Sequence, residues 1–195
     1  MKYEDEITIE VDSTLSNVKS ILERNNFKVK EKYTVNDIYM IKSDDDLKDN
    51  YLDNLKHCLL IRNILAENKD RKVITYKYKE YNDKEEIVKQ GKIDLEIVSI
   101  DEAKKFLEAI NYEEYVRVYD NLTVYANDTS ELILQEVGNH IYIEMEANCD
   151  YIDRTYKDAN EMIEDIKKYN IPIRGSNYYV KKAEVALKEK YDNYF

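Results

Sequence analysis

The stretch from residue 6 to residue 11 reads Glu6-Ile7-Thr8-Ile9-Glu10-Val11 and alternates polar and apolar residues without a break. Because successive side chains of a β-strand point to opposite faces, the three apolar residues are expected on one face and the three polar residues on the other. This strict period of two predicts a strand that belongs to a sheet with one face packed on a core.

Segments with the same period of two dominate the first half of the chain, and its three glycines and one proline offer few linkers. Runs of strands without an intervening helix favour antiparallel pairing over a doubly wound parallel sheet. Besides Glu6–Val11, the pattern predicts strands at Thr34–Ile41, His57–Asn63, Lys72–Lys79, Gly91–Ile97, Tyr115–Tyr119, Leu122–Ala126, Leu132–Val137 and His140–Ala147.

Helices are fewer and are marked by caps and by apolar residues at helical spacing. Asp12 or Ser13 is predicted to cap the first helix, and Ser99 begins a capping-box pattern for the second. A third helix is predicted near Tyr156–Tyr169, and a last one over about 178–191. Together with the strands, these helices predict the α+β class.

Length and composition limit the function. A chain of 195 residues suits one domain over 1–195. The net charge of −11 argues against binding to nucleic acid or to a membrane surface, although a local basic pocket is compatible with it. No stretch reaches the roughly 18 apolar residues of a membrane helix, and no signal-peptide core is seen. Cys58 and Cys149 are interpreted as reduced thiols, so a cytoplasmic location is the default expectation.

Several predicted strands carry charged residues on one face, and two interpretations are open. In the first, a half-buried antiparallel sheet exposes its polar face to water. In the second, the sheet closes into a barrel with the charges inside, where they must be paired or bind a ligand. Interleaved acids and bases suit a phosphate chain with a divalent cation, since Arg and Lys bind phosphate oxygens and carboxylates bind Mg²⁺ or Mn²⁺.

Seven short segments follow one another along the chain: Asn36-Asp37-Ile38-Tyr39, Leu59-Leu60-Ile61-Arg62, Ile74-Thr75-Tyr76-Lys77, Lys92-Ile93-Asp94-Leu95-Glu96, Val116-Arg117, Ile143-Glu144-Met145-Glu146 and Arg174-Gly175-Ser176-Asn177-Tyr178. In this order they resemble the motifs of the CYTH domain family of triphosphate tunnel enzymes. The family includes class IV adenylate cyclases, thiamine triphosphatases and inorganic triphosphatases. The resemblance covers about residues 3–180.

The resemblance implies an antiparallel β-barrel or tunnel of about eight strands with flanking helices. It further implies a metal-dependent hydrolase that acts on a small phosphate ligand, either a triphosphate or inorganic polyphosphate. Glu6, Glu144 and Glu146 would be the catalytic residues and would hold Mg²⁺ or Mn²⁺. The substrate-binding residues would be Arg62, Lys77, Lys92, Arg117, Asp94 and Glu96.

The sequence also departs from the family pattern. The first-strand signature E-x-E-x-K appears here as Glu6, Thr8 and Glu10, so one acid is a threonine and the lysine is an acid. Glu10 is therefore expected either to alter the site or to rest in a salt bridge with a cation of the tunnel. Further uncharged residues stand where the family has arginine, lysine and aspartate, namely Leu60, Tyr115 and Gln135.

These departures leave alternatives open. The chain could be a module that binds a phosphorylated ligand without turnover, or a scaffold whose tunnel charges pair with one another. An adenylate cyclase acting on ATP is a less favoured alternative. A homodimer is one candidate for the oligomeric state. His57 and His140 lack a second nearby ligand in sequence and are interpreted as surface or packing residues.

Overall fold

The computed structural model describes residues 6–43, 53–81 and 87–192. These residues contain eight strands, four α-helices and a short 3₁₀ turn at Asp53–Lys56. The strands are β1 Glu6–Glu10, β2 Lys28–Lys42, β3 Leu59–Ala66, β4 Lys69–Tyr81, β5 Ile87–Glu96, β6 Tyr112–Ala126, β7 Glu131–Val137 and β8 His140–Glu146. The helices are α1 Leu15–Arg24, α2 Ile100–Ala109, α3 Ala159–Lys167 and α4 Lys182–Asp192.

Hydrogen bonds join the strands in the order β1-β8-β7-β6-β2-β3-β4-β5. The pairs β1–β8, β7–β8, β6–β7, β3–β4 and β4–β5 are antiparallel. The predicted α+β fold with about eight antiparallel strands and flanking helices is therefore confirmed. Over the described residues, β1 and β5 stand at the two ends of this order, so the hydrogen-bonded sheet is open and not a closed barrel.

The described residues form two compact units. The first unit comprises residues 34–43, 53–81, 87–119 and 181–192, and the second comprises residues 6–33 and 120–180. The chain passes from one unit to the other within the long strands β2 and β6 and again just before α4. Each unit has its own apolar core.

The core of the second unit confirms the alternation predicted for the first strand. Ile7 and Ile9 of β1 are each 1% exposed and pack with Leu22 of α1, Ile143 of β8 and Met162 of α3. Burial of aliphatic side chains on this scale is the main term that stabilises a small domain. It also leaves the polar face of β1 to be shared with its neighbour β8.

The cap of α1 differs from the prediction. Thr14, and neither Asp12 nor Ser13, is the N-cap, and its hydroxyl accepts a hydrogen bond from the backbone N–H of Asn17 at 3.3 Å. The backbone N–H of Asp12 instead donates to Pro172, which keeps that residue outside the helix. The cap therefore lies one residue after Ser13 and two residues after Asp12, and the helix begins at Leu15.

In the first unit, α2 packs on one face of β2 and β3. Ile38 and Met40 of β2 and Ile61 of β3 bury their side chains against Ala103 and Leu107 of the helix. The predicted cap of this helix is confirmed, because the Ser99 hydroxyl accepts a hydrogen bond from the N–H of Glu102 at 3.3 Å. The opposite face of these strands carries the polar residues Asp37 and Arg62 together with the buried side chains of Ile41 and Leu60.

Two segments predicted as separate strands, Tyr115–Tyr119 and Leu122–Ala126, form one continuous strand, β6. The polar pair Asp120-Asn121 lies between the two predicted segments. Asn121 lies opposite Glu136 in the ladder with β7, and Asp120 is buried. The ladder thus carries the chain through a polar dipeptide that would otherwise favour a turn.

Two helices begin later than predicted because backbone hydrogen bonds commit the preceding residues elsewhere. The N–H of Tyr156 donates to the carbonyl of Ala147 at 2.7 Å, and α3 starts only after its cap, Asp158. Likewise, the N–H of Val180 donates to the carbonyl of Thr8 at 3.0 Å, so α4 starts at Lys182 and not near residue 178.

Two further expectations concern cysteines and membrane helices. Both Cys58 and Cys149 are free thiols. Burial and the nearby Glu131 carboxylate raise the pKa of the Cys149 thiol to about 11, so this sulfur stays protonated at neutral pH. None of the helices in the described part of the chain is long and apolar enough to cross a membrane.

Candidate functional site

The pairing of β1 with β8 brings three acidic side chains together in the second unit. Glu6 lies directly opposite Glu146, and Thr8 lies opposite Glu144. Because the apolar residues of both strands enter the core, these polar residues share the other face. Carboxylate oxygens of Glu6, Glu144 and Glu146 lie within 4.8 Å of one another. The three residues predicted as catalytic and metal-binding are thus brought into one cluster.

The donor set of this acidic cluster fits a hard divalent cation. Mg²⁺ prefers oxygen ligands at about 2.0–2.1 Å, which places ligand oxygens about 3 to 4 Å apart around the ion. Oxygens within 4.8 Å of one another need only small side-chain rotations to meet that geometry. Glu6 and Glu144 are half-buried and Glu146 is exposed, so an ion could enter from solvent.

Two uncharged hydroxyl groups border the acidic cluster. The Thr8 hydroxyl donates a hydrogen bond of 3.4 Å to Glu144. Burial raises the pKa of the Tyr33 phenol, and the negative charges of Glu144 and Glu146 raise it further. The phenol therefore stays protonated at neutral pH and contributes a neutral donor beside the acids.

In the first unit, one face of β3, β4 and β5 carries most of the predicted phosphate-binding residues. Across β4 and β5, Lys77 lies opposite Lys92, and Thr75 lies opposite Asp94. Glu96 lies opposite Val73, which in turn lies opposite Arg62 of β3. The structure therefore places five of the predicted residues on this face: Arg62, Lys77, Lys92, Asp94 and Glu96.

Arg71 belongs to the same face and was missed by the sequence analysis. Its guanidinium donates to Asp94 at 3.3 Å and to Glu96 at 3.4 Å. Asp94 also accepts a hydrogen bond of 2.8 Å from the buried hydroxyl of Thr75. The signal was present, because Arg71, Val73, Thr75 and Lys77 occupy alternate positions of one strand.

Lys77 and Lys92 are the cations of this face that oppose each other directly. Like charges in directly opposite positions of a sheet repel and destabilise it. Lys77 makes no hydrogen bond or ion pair with any residue that the structure describes, whereas Arg62 and Arg71 are held by carboxylates. An anion between the two lysines would relieve their repulsion.

Arg117 is not joined to this group. Its hydrogen bonds and ion pair, within the described residues, all go to Glu114, whose carboxylate also binds Lys104 of α2 at 2.7 Å. The bond from Arg117 lowers the pKa of the Glu114 carboxyl, and the bond from Lys104 lowers it further. Within the described residues, Arg117 therefore has no hydrogen bond or ion pair in common with Arg62, Lys77 or Lys92, and its substrate-binding role stays a prediction.

Glu10 forms a salt bridge, which is one of the two outcomes expected for this residue from the sequence. Its carboxylate lies 2.9 Å from Nδ1 of His140 and 2.9 Å from the Arg174 guanidinium, which also reaches Asp12 at 3.3 Å. His140 stacks on Tyr142, with ring centroids 6.0 Å apart. His140 is therefore a bonded residue of the polar face of β8, and the salt bridge makes Arg174 part of that face.

The other departures from the family motifs are all buried. Leu60 is 1% exposed, Gln135 is 0% exposed and Tyr115 is 6% exposed. The backbone carbonyl of Tyr115 accepts a hydrogen bond of 3.1 Å from Lys190 of α4. Three positions at which the family pattern has charged residues thus hold uncharged side chains inside the protein.

Comparisons with known proteins give the fold its context. No model of a known protein family and no curated protein matches the sequence. Among solved structures, the PH1819 protein from Pyrococcus horikoshii OT3 is 20% identical, with a TM-score of 0.66 over 96% of this chain and 99% of that one. The candidate adenylyl cyclase HpAC1 from Hippeastrum, which has a dominant triphosphatase activity, is 16% identical, with a TM-score of 0.63 over 95% and 96%.

A candidate adenylate cyclase from Vibrio parahaemolyticus is 12% identical, with a TM-score of 0.55 over 91% of this chain and 95% of that one. At these identities the similarity concerns the fold, while function has to be argued from the site. The chain therefore has the CYTH-like fold that its motifs predict, and it shares this fold with candidate adenylate cyclases and with a protein of dominant triphosphatase activity.

Proposed function

We propose that this protein is a metal-dependent hydrolase of a triphosphate or of inorganic polyphosphate. Glu6, Glu144 and Glu146 hold Mg²⁺ or Mn²⁺ in this proposal, and Arg62, Lys77 and Lys92 bind phosphate oxygens. The bound ion supplies charge neutralisation for the phosphoryl group and orientation for an attacking water.

The observation that carries the proposal is the acidic cluster on β1 and β8. Its three carboxylates come within 4.8 Å of one another, and Glu6 faces Glu146 across the ladder. Like charges in directly opposite positions repel each other, so a divalent cation bound by all three carboxylates would stabilise this arrangement. Carboxylate oxygens at this spacing favour a magnesium-like ion over a softer metal such as copper.

The cations of the first unit support the phosphate part of the proposal. Lys77 faces Lys92, and Asp37 and Asp94 hold Arg62 and Arg71 in defined positions. A guanidinium that is fixed by a carboxylate has a defined orientation, and its planar N–H groups match the geometry of phosphate oxygens. Ammonium groups add point charges that a polyanion neutralises. In phosphoryl transfer, such positioning and charge stabilisation account for most of the catalysis.

The experiment that tests the proposal is phosphate release from tripolyphosphate, ATP and thiamine triphosphate, with Mg²⁺, with Mn²⁺ and with EDTA. We expect release that depends on the metal and that Glu144→Gln lowers at least a hundredfold, because the variant keeps the shape of the side chain and loses its charge. Glu23→Gln is a matched control, since Glu23 is an exposed residue of α1. Release that persists in EDTA contradicts the proposal.

A second candidate function is a module that binds a phosphorylated ligand without hydrolysing it. It is favoured by the uncharged positions Thr8, Leu60 and Gln135, which remove two acids and a base from the expected site. In this case tripolyphosphate with Mg²⁺ raises the melting temperature although no phosphate is released. Conversion of ATP to a cyclic nucleotide and pyrophosphate, measured in the same assay, would instead identify a cyclase.

A further inference from the structure

The polar face of β1 and β8 carries a cation that the proposed metal site does not use. We infer that Arg174 also binds the ligand on this face. It contacts the part of a polyphosphate that extends beyond the metal. The inference rests on the proposed function, because it assumes that the acidic cluster holds the metal end of the ligand.

Arg174 is fixed on the same face as the acidic cluster. Glu6, Thr8 and Glu10 alternate along β1 and share one side of the strand, and the Arg174 guanidinium lies 2.9 Å from Glu10. Thr8 is opposite Glu144, so Glu10 lies two residues, or roughly 7 Å, along the strand from that acid. A phosphate chain with one end at the acidic cluster can therefore extend toward Arg174.

The backbone around Arg174 is held as firmly as its side chain. The N–H of Arg174 donates to the Glu10 carbonyl at 2.8 Å, and the N–H of Thr8 donates to the Tyr178 carbonyl at 2.9 Å. Between these two bonds the chain turns through Gly175, whose φ of +73° suits glycine. Arg174 is thus the first residue of a short arch anchored at both ends to β1.

The guanidinium retains capacity for an anion. An arginine has five N–H donors, and the contacts to Glu10 and Asp12 use two of them. The Arg174 side chain is 57% exposed, whereas the Glu10 side chain that holds it is 14% exposed. The Glu10 carboxylate therefore orients the Arg174 guanidinium from its buried side. The remaining N–H donors of the guanidinium are accessible to a phosphate group. His140, on the other side of Glu10, helps to position that carboxylate.

The inference is tested by isothermal titration of wild type, Arg174→Ala, Arg174→Lys and Arg24→Ala, first with Mn²⁺ alone and then with tripolyphosphate at saturating Mn²⁺. Arg24 is an exposed residue at the end of α1, so Arg24→Ala removes the same charge elsewhere. We expect Arg174→Ala to weaken tripolyphosphate binding at least tenfold, and Arg174→Lys to weaken it less, with Mn²⁺ affinity unchanged within twofold in all variants.

The two proposals fail in different ways. Tripolyphosphate binding that is equal in wild type, Arg174→Ala and Arg24→Ala overturns the role of Arg174 and leaves the metal site standing. Equal losses in Arg174→Ala and Arg24→Ala also overturn it, since the effect would then be one of overall charge. If wild type binds neither Mn²⁺ nor tripolyphosphate, the proposed function falls, and the inference falls with it.

Discussion

Arg62 and Asp37 form a two-point ion pair, with Nε 2.7 Å from Oδ1 and the second guanidinium nitrogen 2.6 Å from Oδ2. The Asp37 side chain is 8% exposed and the Arg62 side chain 23% exposed, so the pair is largely shielded from water. A planar guanidinium held by both carboxylate oxygens has one orientation, and its remaining donors point in fixed directions. This pair therefore fixes the direction in which Arg62 can receive a phosphate group.

Replacing Asp37 by asparagine should lower both stability and ligand affinity. Removing one partner of a buried ion pair leaves the other charge uncompensated, and we expect a loss of about 3 kcal/mol in the free energy of unfolding. Urea denaturation measures it. Tripolyphosphate should stabilise the variant less than it stabilises wild type, because Arg62 has lost the carboxylate that fixes its orientation. Asp153→Asn, at an exposed position, should change neither quantity.

Lys77→Glu should stabilise the free protein and weaken ligand binding at the same time. The variant turns the repulsive pair with Lys92 into an attractive cross-strand pair, which stabilises a sheet by about 0.5–1 kcal/mol. It also removes a cation from the phosphate-binding face, so tripolyphosphate affinity should fall at least tenfold. Thermal unfolding with and without tripolyphosphate reports both effects.

The control for this prediction is Lys32→Glu, a charge reversal at an exposed position of β2. It should leave ligand-induced stabilisation unchanged within error. If Lys77→Glu destabilises the free protein, the two lysines do not repel each other in the folded state, and the argument for an anion between them is wrong.

The sequence predicted the strands and helices well where the apolar residues followed a single period. It predicted their bounds less well where backbone hydrogen bonds joined segments that are distant in sequence. The alternation of Ile7 and Ile9 and the Ser99 cap were both confirmed, since each depends on residues close in sequence. The late start of α4 depends on the bond between Val180 and Thr8, which no local pattern encodes. For the same reason the open strand order could not be derived from periodicity.

The candidate site shows the same limit. Glu6, Glu144 and Glu146 were named from motifs, and the register of β1 with β8 brings them together. Arg71 was not named, and Arg174 was named within a motif but given no role, because both roles depend on which carboxylates these residues meet across the fold. An alternating charge pattern identifies a polar face, but partners on that face are set by strand register, which a single sequence does not give.

The second unit contains a buried polar network that predicts a response to acid. Asp165 is 2% exposed and accepts hydrogen bonds from Ser130 at 2.5 Å, Tyr156 at 2.7 Å, Lys168 at 2.8 Å and Arg154 at 3.0 Å. Burial alone would raise the pKa of the Asp165 carboxyl, but these four donors outweigh burial and lower the pKa below its ordinary value.

Because the folded-state pKa of Asp165 is lowered, its carboxylate stabilises the protein above the pKa of the unfolded state. That stabilisation is lost as pH falls through the folded pKa. Asp165→Asn should therefore be less stable than wild type by about 3 kcal/mol at pH 7, with the gap narrowing below about pH 4. Urea denaturation at several pH values measures the gap. A gap that stays constant down to pH 2 would show that the charge of Asp165 contributes nothing.

Thr8→Glu should lower the stability of the metal-free protein and raise its affinity for the metal. Thr8 is 7% exposed, faces Glu144 and lies between Glu6 and Glu10 on one strand, so a glutamate there adds a fourth carboxylate beside the acidic cluster. Without metal, a like charge directly opposite Glu144 and a larger side chain should lower the free energy of unfolding by about 1–3 kcal/mol. With Mn²⁺, the added oxygen ligand should tighten binding about tenfold and recover most of that loss.

The control is Thr8→Gln, which matches the size of glutamate without its charge. This variant should lose stability and gain no Mn²⁺ affinity. Calorimetric titration with Mn²⁺ separates the two variants, and equal affinities in both would mean that position 8 does not reach the metal.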